Sequence, residues 1–299
     1  MDAFDDPLLL RACIRRGPDR RPLERDSLVL TAIAIDNRID PDGSEWCLWV
    51  PYELANRANA ELEKYSLENR PRFAPRPQVI TIDSGLLGVL CFLLIIWLLP
   101  SLEAAATFGW QWRTIGVMDA GLVASGEWWR AVTALTLHGD LGHLMGNSLF
   151  GAVFGIFAGR HLGSGLAWLL IVLCGTVGNL LDAAVQPDDF RSIGASTATF
   201  AAVGIVGAFV WQRGYYRAVD WRRSVAPVFA AIAMLAFTGM AGENTDVIAH
   251  VMGFAAGLFC GVGAAAFDIR RIGTRGQCLC GAVALALVAF AWALAGGAV

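Results

Sequence analysis

From residue 83 onward, seven apolar segments follow one another along the chain, and each approaches the length that crosses a bilayer. They lie at residues 83–102, 141–159, 162–185, 194–212, 225–241, 247–267 and 276–298. A helix needs about 20 apolar residues to span the hydrocarbon core, because each residue adds only about 1.5 Å. The pattern therefore predicts an all-α polytopic membrane domain. The stretch 103–140 is too polar to span, and its tryptophans favour the water–lipid interface.

The first 80 residues have a different pattern, with polar and apolar positions mixed in short runs. Leu28–Ile35 and Trp46–Val50 are rich in residues that favour strands. Pro51 is expected in the first turn of a helix that runs to about Glu68. The Pro/Arg-rich stretch 70–77 cannot continue a helix. We therefore expect a small soluble α/β module with a linker, most simply an adaptor or a stabilising cap, because it has no cluster of catalytic residue types.

Composition agrees with this division. The 299 residues are 56% hydrophobic and 16% charged, whereas a soluble domain carries about 25% charged residues. Residues 1–81 hold 12 of the 23 basic and 14 of the 26 acidic residues. A net charge of −3 without a basic stripe argues against a nucleic-acid partner. The seven cysteines form no CxxC pair, so no zinc-finger spacing or disulfide framework is indicated.

Arginine placement predicts the orientation in the membrane. If the N-terminus is cytoplasmic, the outer loops carry Arg113, Arg130 and Arg191. The inner loops then carry eight arginines: Arg160, Arg213, Arg217, Arg222, Arg223, Arg270, Arg271 and Arg275. The positive-inside rule therefore favours a cytoplasmic N-terminus. Because Lys64 is the only lysine, a usage typical of GC-rich bacterial genomes, we expect a multi-pass protein of a bacterial inner (plasma) membrane.

Three segments carry polar residues near the same predicted outer end. His143, Ser196 and His250 each lie within a few residues of that end of the second, fourth and sixth segments. Polar and titratable side chains in membrane-length segments are costly to bury and are therefore candidates for function. A nucleophile, a base and hydrogen-bond donors at one depth indicate a hydrolytic site.

The first motif runs from His138 to Asn147 and reads HGDLGHLMGN. His143 and Asn147 are four residues apart and share a helical face. Two neutral donors on one face can bind a developing oxyanion, although an interfacial histidine and a packing asparagine would give the same pattern. His138 lies five residues before His143, so it points elsewhere or precedes the helix.

The second motif surrounds Ser196 and reads IGASTAT from Ile193. A serine in a helix of small residues usually packs or bonds back to the helix. Gly194 changes this expectation, because it lets the chain turn tightly into the helix and leaves backbone N–H groups near the hydroxyl.

The third motif places glycines on the face of a histidine. Gly253, Gly257 and Gly261 follow His250 at +3, +7 and +11, a spacing that keeps them on one side of a helix. Repeated small residues let two membrane helices approach closely. Packing alone explains the glycines but not the histidine. If the neighbouring helix is the fourth segment, Ser196 and His250 come within hydrogen-bond distance.

Metal binding and ion transport are two other functions that polar residues in membrane segments can serve. The chain has four histidines and no HExxH motif, and no carboxylate lies mid-segment to complete a ligand set, so we expect no metal and no cofactor. Ion-coupled transport normally uses charged residues deep in the bundle. Here Asp182, near an outer end, is the only acid within the interior of a segment.

Together the three motifs resemble those of the rhomboid intramembrane serine proteases. That family has HxxxxHxxxN in the second helix, GxS at the start of the fourth and AHxxG in the sixth. The matching residues are His138, His143, Asn147, Gly194, Ser196, Ala249, His250 and Gly253. The stretch Gly126–Arg130 also looks like the family's Trp-Arg motif, with Trp129 and Arg130. The likeness covers about residues 80–267.

The resemblance implies a fold and an activity. The fold would be a six-helix bundle plus one C-terminal helix (6+1), with a cytosolic module and linker at 1–80, the membrane core at 81–268 and the seventh helix at 269–299. Ser196 would be the nucleophile and His250 its base, a dyad, because no aspartate is placed to orient the imidazole. His143, Asn147 and the Ser196 N–H would hold the oxyanion. The substrates would be single-span transmembrane proteins in the lipid bilayer, cut near the outer face.

One residue departs from the family pattern. Thr197 stands where the family commonly has glycine, and a β-branched neighbour would narrow the cavity beside the nucleophile. The alternative function is therefore an inactive rhomboid-like protein that binds membrane clients. Such relatives usually lack the serine or the histidine, and both are present here.

Overall fold

The computed structural model describes residues 10–69, 81–214 and 246–297. The chain divides into two compact units, Met1–Ala74 and Pro75–Val299. The first unit combines strands and helices around a core of its own, and the second is mostly helical.

The first unit is a three-stranded antiparallel sheet with two helices. Its elements are β1 (Arg11–Gly17), α1 (Arg20–Ala32), β2 (Arg38–Asp42), β3 (Glu45–Pro51) and α2 (Ala55–Glu68). The strand order is β1-β3-β2, with Gly17 opposite Trp46 and Asp42 opposite Glu45. The core brings both helices against the sheet through Leu23, Leu30, Ile35, Leu48, Val50, Ala58 and Leu62.

One sequence prediction for this unit is wrong. The stretch Leu28–Ile35 was expected to be a strand, but it lies mostly in the last turns of α1. Leu23 and Leu30 are seven residues apart and both are buried, whereas Leu28 is exposed. This helical period outweighs the β-branched composition. Trp46–Val50 does lie in β3, and α2 begins after a short 3₁₀ turn at Tyr52–Leu54.

The second unit contains long apolar helices joined by short elements. The first of them is α3 (Leu86–Ala104), which is followed by α4 (Trp112–Gly116), β4 (Met118–Asp119), α5 (Ala120–Ala124) and α6 (Arg130–Thr133). The rest are α7 (Leu141–Leu162), α8 (Ser164–Ala183), β5 (Arg191–Ser192), α9 (Ser196–Gln212), α10 (Val247–Ala265) and α11 (Gly273–Gly297). Residues 103–140 form only short elements, as their polarity predicts.

Five helices within the described residues are long and apolar enough to cross a membrane, namely α3, α7, α8, α10 and the stretch Ile269–Gly297 that contains α11. The 17-residue α9 is apolar but shorter. The expected segment 225–241 lies outside the described residues, so the count of six helices plus one stays a prediction. These helices make the chain an integral multi-pass membrane protein.

Helix α9 is central, because it is buried along most of its length and packs against α7, α8 and α10.

At the helix ends opposite the candidate site, polar side chains form hydrogen bonds between neighbouring elements. Asp83 accepts hydrogen bonds from the N–H and hydroxyl of Ser164 at 2.7 and 3.0 Å. Gln277 of α11 accepts from the Leu166 N–H and donates to the Leu162 carbonyl. These bonds hold α11 to the turn between α7 and α8.

Candidate active site

Ser196 and His250 meet where two helices begin. Ser196 is the first residue of α9, and His250 lies in the first turns of α10. The His250 Nε2 and Ser196 Oγ atoms are 2.7 Å apart, which is a hydrogen-bond distance. The imidazole is buried, whereas Ser196 is half-buried. This arrangement can transfer a proton from the alcohol to the imidazole.

The glycines of α10 allow this contact. Gly253, Gly257 and Gly261 face the backbone of α9, and a Cβ on any of them would lie 2.1 to 2.4 Å from a carbonyl oxygen there. The oxygens belong, in turn, to Thr197, Ala201 and Ile205. Since no real side chain tolerates such distances, only glycine permits this backbone-to-backbone packing.

Phe200 orients the imidazole and was not singled out from the sequence. Its ring stacks on the His250 ring, with centroids 4.5 Å apart and planes 21° from parallel. Phe200 lies one turn after Ser196, so the nucleophile and the stacked ring share a face of α9. Its spacing from Ser196 was the available signal, but a phenylalanine in an apolar helix otherwise indicates only core packing.

The second ring nitrogen of His250 has no hydrogen-bond partner among the described residues. Asp246 lies four residues earlier, but its Oδ1 accepts from the Ala249 N–H at 2.9 Å and so caps α10. Within the part of the chain that the structure describes, no carboxylate therefore accepts a hydrogen bond from His250 Nδ1.

His143 faces the loop that leads to Ser196. Asp140 caps α7 by accepting from the His143 N–H at 2.8 Å. The Gly139 N–H points to His143 Nδ1 at 3.4 Å, which makes Nδ1 an acceptor and leaves the hydrogen on Nε2. A Cβ on Gly194 would lie only 2.6 Å from that Nε2 atom. His143 can therefore donate toward the space beside the nucleophile.

Asn147 lies one turn further along α7 and is buried. Its Nδ2 donates to the His143 carbonyl at 3.2 Å, which occupies one of the two amide hydrogens. The second hydrogen remains for another acceptor. As the first residue of α9, Ser196 also carries a backbone N–H that has no acceptor within its helix.

Gly194 shapes the turn before the nucleophile. Its φ of +138° is a conformation that residues with a Cβ rarely adopt. Its N–H donates to the Ala134 carbonyl at 2.9 Å. The small sheet β4–β5 lies just upstream, with Met118 opposite Ser192. The loop between α3 and α7 thus fixes the backbone that leads to Ser196.

Asp119 strengthens this sheet. Burial alone would raise the pKa of the Asp119 carboxyl, but hydrogen bonds from Arg191 and the Leu122 N–H, with the nearby arginine charges, bring the pKa below its ordinary value. Asp119 is thus an anion that pairs with Arg191 at 2.9 Å and caps α5.

Thr197 points away from the dyad. Its side chain is buried, and its methyl carbon lies 2.7 Å from where a Cβ on Gly178 would stand and 2.9 Å from where one on Gly253 would stand. Thr197 therefore fills the junction of α8, α9 and α10. Its effect on the cavity beside the nucleophile stays a prediction.

His138 precedes α7 and is not part of the dyad. Its ring centroid is 5.2 Å from that of His143, and neither of its ring nitrogens has a hydrogen-bond partner in the described part of the chain. Burial, followed by the proximity of His143, lowers the pKa of the His138 imidazole to about 3. His138 is therefore neutral near pH 7 and supports the start of α7.

Trp129 and Arg130 belong to the loop between α3 and α7. The buried guanidinium of Arg130 donates to the Thr114 and Val117 carbonyls, both at 3.0 Å, and pairs with Glu127. Trp129 packs at the edge of an apolar cluster formed with the C-terminal ends of α3 and α11. Both residues stabilise the loop and lie outside the dyad.

No cluster of three metal-ligating side chains occurs in residues 10–69, 81–214 and 246–297.

Comparison with known proteins points to one family. The family model of the Rhomboid domain matches residues 125–267. The chain is 28% identical over 169 residues to YdcA of Bacillus subtilis (strain 168), a match that covers 56% of this chain and 82% of YdcA. It is 31% identical over 174 residues to Rhomboid protease GluP of the same organism, covering 58% of this chain but 33% of GluP. Rhomboid-like protease 3 of Toxoplasma gondii is 29% identical over 144 residues, covering 48% of this chain and 54% of that protein.

Proposed function

The chain belongs to the rhomboid family, and on that premise we propose that it is an intramembrane serine endopeptidase. It cleaves transmembrane segments near the outer membrane face with a Ser196–His250 dyad. The 2.7 Å contact between Ser196 Oγ and His250 Nε2 supports this proposal most directly, because a serine hydroxyl is a weak nucleophile until an adjacent base takes its proton.

Acylation begins when Ser196 Oγ attacks the scissile carbonyl carbon and its proton passes to His250 Nε2. The carbonyl oxygen becomes an oxyanion, which accepts hydrogen bonds from the Ser196 N–H, His143 Nε2 and Asn147 Nδ2. Collapse of the tetrahedral intermediate breaks the C–N bond, and His250 gives its proton to the leaving amine. The substrate's N-terminal part remains as an ester on Ser196.

In deacylation, water is the nucleophile and the Ser196 oxygen is the leaving group. A water molecule loses a proton to His250 as it attacks the ester carbonyl, and the same donors hold the second oxyanion. The Ser196 oxygen then leaves and recovers a proton from His250. Because water must reach the ester, the site has to open to an aqueous side, which is consistent with its position at helix ends.

The substrates we propose are single-span membrane proteins whose helices unwind near that face. With a cytoplasmic N-terminus, as the arginine distribution favours, the dyad faces the outside of a bacterial inner membrane. Neither a metal nor a cofactor enters any step.

The dyad is tested with purified protein in liposomes that also contain a single-span reporter substrate. Ser196→Ala and His250→Ala are each expected to reduce cleavage by at least about 10³-fold, because the nucleophile and the base act as a unit. Ser196→Ala should also abolish covalent labelling by a fluorophosphonate. Cleavage is followed on gels, and labelling by fluorescence.

Ser125→Ala is the matched control, since Ser125 is an exposed serine of the outer loop whose hydroxyl bonds only to the Leu122 carbonyl. This variant should cleave and label like the wild type. Undiminished labelling of Ser196→Ala would remove the assigned nucleophile. A wild-type protein that binds the reporter but neither cleaves it nor labels would favour the inactive client-binding alternative.

A further inference from the structure

Helix α11 reaches the outer loop through one buried tryptophan. Trp292 lies near the end of α11, and its ring centroid is 4.8 Å from that of Trp112 in α4. A Cβ on Gly116 would lie 2.3 Å from the Trp292 Cη2 atom, so the indole fills the space that this glycine leaves. The outer end of α11 is thereby seated in the loop that precedes α7.

The same indole makes a buried hydrogen bond. Trp292 Nε1 donates to Thr136 Oγ1 at 3.1 Å, and Thr136 Oγ1 donates to the Thr133 carbonyl at 2.7 Å. Trp292 is 7% exposed and Thr136 is 5% exposed, so water does not replace either bond easily. The Thr136 hydroxyl therefore donates its hydrogen to one partner and accepts a hydrogen from another, and the two bonds together fix its orientation.

The tripeptide that contains Thr136 also contacts the backbone beside the nucleophile. The Ala134 carbonyl accepts from the Gly194 N–H at 2.9 Å, and Gly194 lies two residues before Ser196. The segment Ala134–Thr136 is a single 3₁₀ turn, so its carbonyl and its threonine hydroxyl move together. One side of this turn thus bonds to α11 and the other to the loop that sets the position of Ser196.

We propose that Trp292 is a positioning residue for the hydrolysis proposed above, and that it acts through Thr136 and Ala134 on the Gly194–Ser196 backbone. This inference rests on the proposed function. Helix α11 lies outside residues 125–267, which match the Rhomboid domain. The seventh helix therefore contributes to the geometry of the nucleophile from beyond the matched domain.

The test uses the full-length protein and a variant that retains an aromatic ring. Trp292→Phe removes the N–H, so the turn loses its anchor, and the smaller ring leaves some space beside Gly116. We expect kcat and the rate of fluorophosphonate labelling of Ser196 to fall about tenfold, with little change in KM, because a displaced nucleophile affects the transition state more than substrate binding. Thr136→Val removes the same hydrogen bond without that cavity.

Thr136 supplies the partner variants. Thr136→Val removes the hydroxyl at nearly constant volume and should lower kcat to a similar extent. Combining it with Trp292→Phe should add little, because both changes break the same bond. Thr136→Ser keeps the hydroxyl and should retain most of the wild-type rate.

Gln277→Met is the matched control on the same helix. It removes the hydrogen bonds that hold the other end of α11, about 22 Å from Trp292 along the helix axis. We expect a lower unfolding temperature in detergent but an unchanged kcat. Equal losses of kcat in Gln277→Met and Trp292→Phe, or a wild-type rate in Trp292→Phe, would overturn the positioning role.

Amide hydrogen exchange separates this inference from the proposed function. If the wild type is not labelled at all, the proposed function fails, and exchange of residues 193–197 then tests the contact alone. Trp292→Phe should speed exchange there more than Gln277→Met does. Equal exchange in the two variants would refute the path from α11 to the nucleophile's backbone.

Discussion

At the scale of single residues, the dyad owes its geometry to neighbours that have no reactive group. Gly194 gives the chain a turn that other residues rarely adopt, and Gly253 lets the backbone of α10 touch that of α9. Phe200 supplies a flat surface for the imidazole. Because each of these contacts is short and buried, small changes in side-chain volume should be felt directly at Ser196 and His250.

Asn147 offers a test of the oxyanion donors. Asn147→Ala should lower kcat by about 10²–10³-fold and change KM much less, because the lost hydrogen bond forms only as negative charge develops. The measurement is steady-state cleavage of the reporter in liposomes. Ser148→Ala is the control on the same helix. The Ser148 hydroxyl donates to the Leu144 carbonyl and accepts from the Trp97 indole, so its loss affects helix packing and not the oxyanion. An unchanged turnover number for Asn147→Ala would exclude it as an oxyanion donor.

The sequence predicted some of these residues and not others. Ser196, His250 and His143 stand out because polar groups are rare in membrane-length segments. Phe200 and Trp292 do not, because an aromatic residue in such a segment is most often lipid-facing or core. Their roles follow from contacts between distant parts of the chain, which single-sequence patterns do not contain.

At the scale of helices, the α9–α10 contact controls the distance across the dyad. Gly257→Ala would place a methyl group 2.1 Å from the Ala201 carbonyl oxygen and force the helices apart. We expect destabilisation of about 1–3 kcal/mol and a large loss of Ser196 labelling. Thermal unfolding in detergent and fluorophosphonate labelling measure the two effects.

Gly263 provides the matched control in the same helix. No atom lies within 4 Å of a Cβ built there, so Gly263→Ala should leave labelling unchanged and stability equal or slightly higher. If Gly257→Ala behaved in the same way, the close approach of α9 and α10 would not be what holds His250 against Ser196.

The sequence predicts helices best where the length of an apolar segment identifies a membrane span. The six apolar segments that fall within the described residues were located to within a few residues at most ends, since lipid imposes a length that the sequence must satisfy. The first unit was harder. Strands β1 and β2 carry charged residues throughout and show no clear alternation, so their pairing with β3 depends on tertiary contacts.

At the scale of the whole molecule, the two units have separate cores, and Ser196 and His250 both belong to the second. Deleting residues 1–74 should therefore leave kcat within about twofold of the full-length value in detergent, because a unit with its own core folds independently. Reporter cleavage by the two proteins at equal concentration measures this. A shortened protein that keeps its helical circular dichroism but loses cleavage would show that the first unit takes part in the reaction.

The stacking of Trp112 on Trp292 has an optical consequence. Two indoles 4.8 Å apart and tilted by 51° have electronic transitions close enough to couple. Such coupling produces paired bands of opposite sign in ultraviolet circular dichroism. Because the Trp110 ring centroid also lies 5.1 Å from that of Trp112, the contribution of Trp292 is the difference between the spectra of the wild type and Trp292→Phe. The native protein thus carries an intrinsic, label-free signal for whether its last helix is seated, readable in detergent, in vesicles or during refolding.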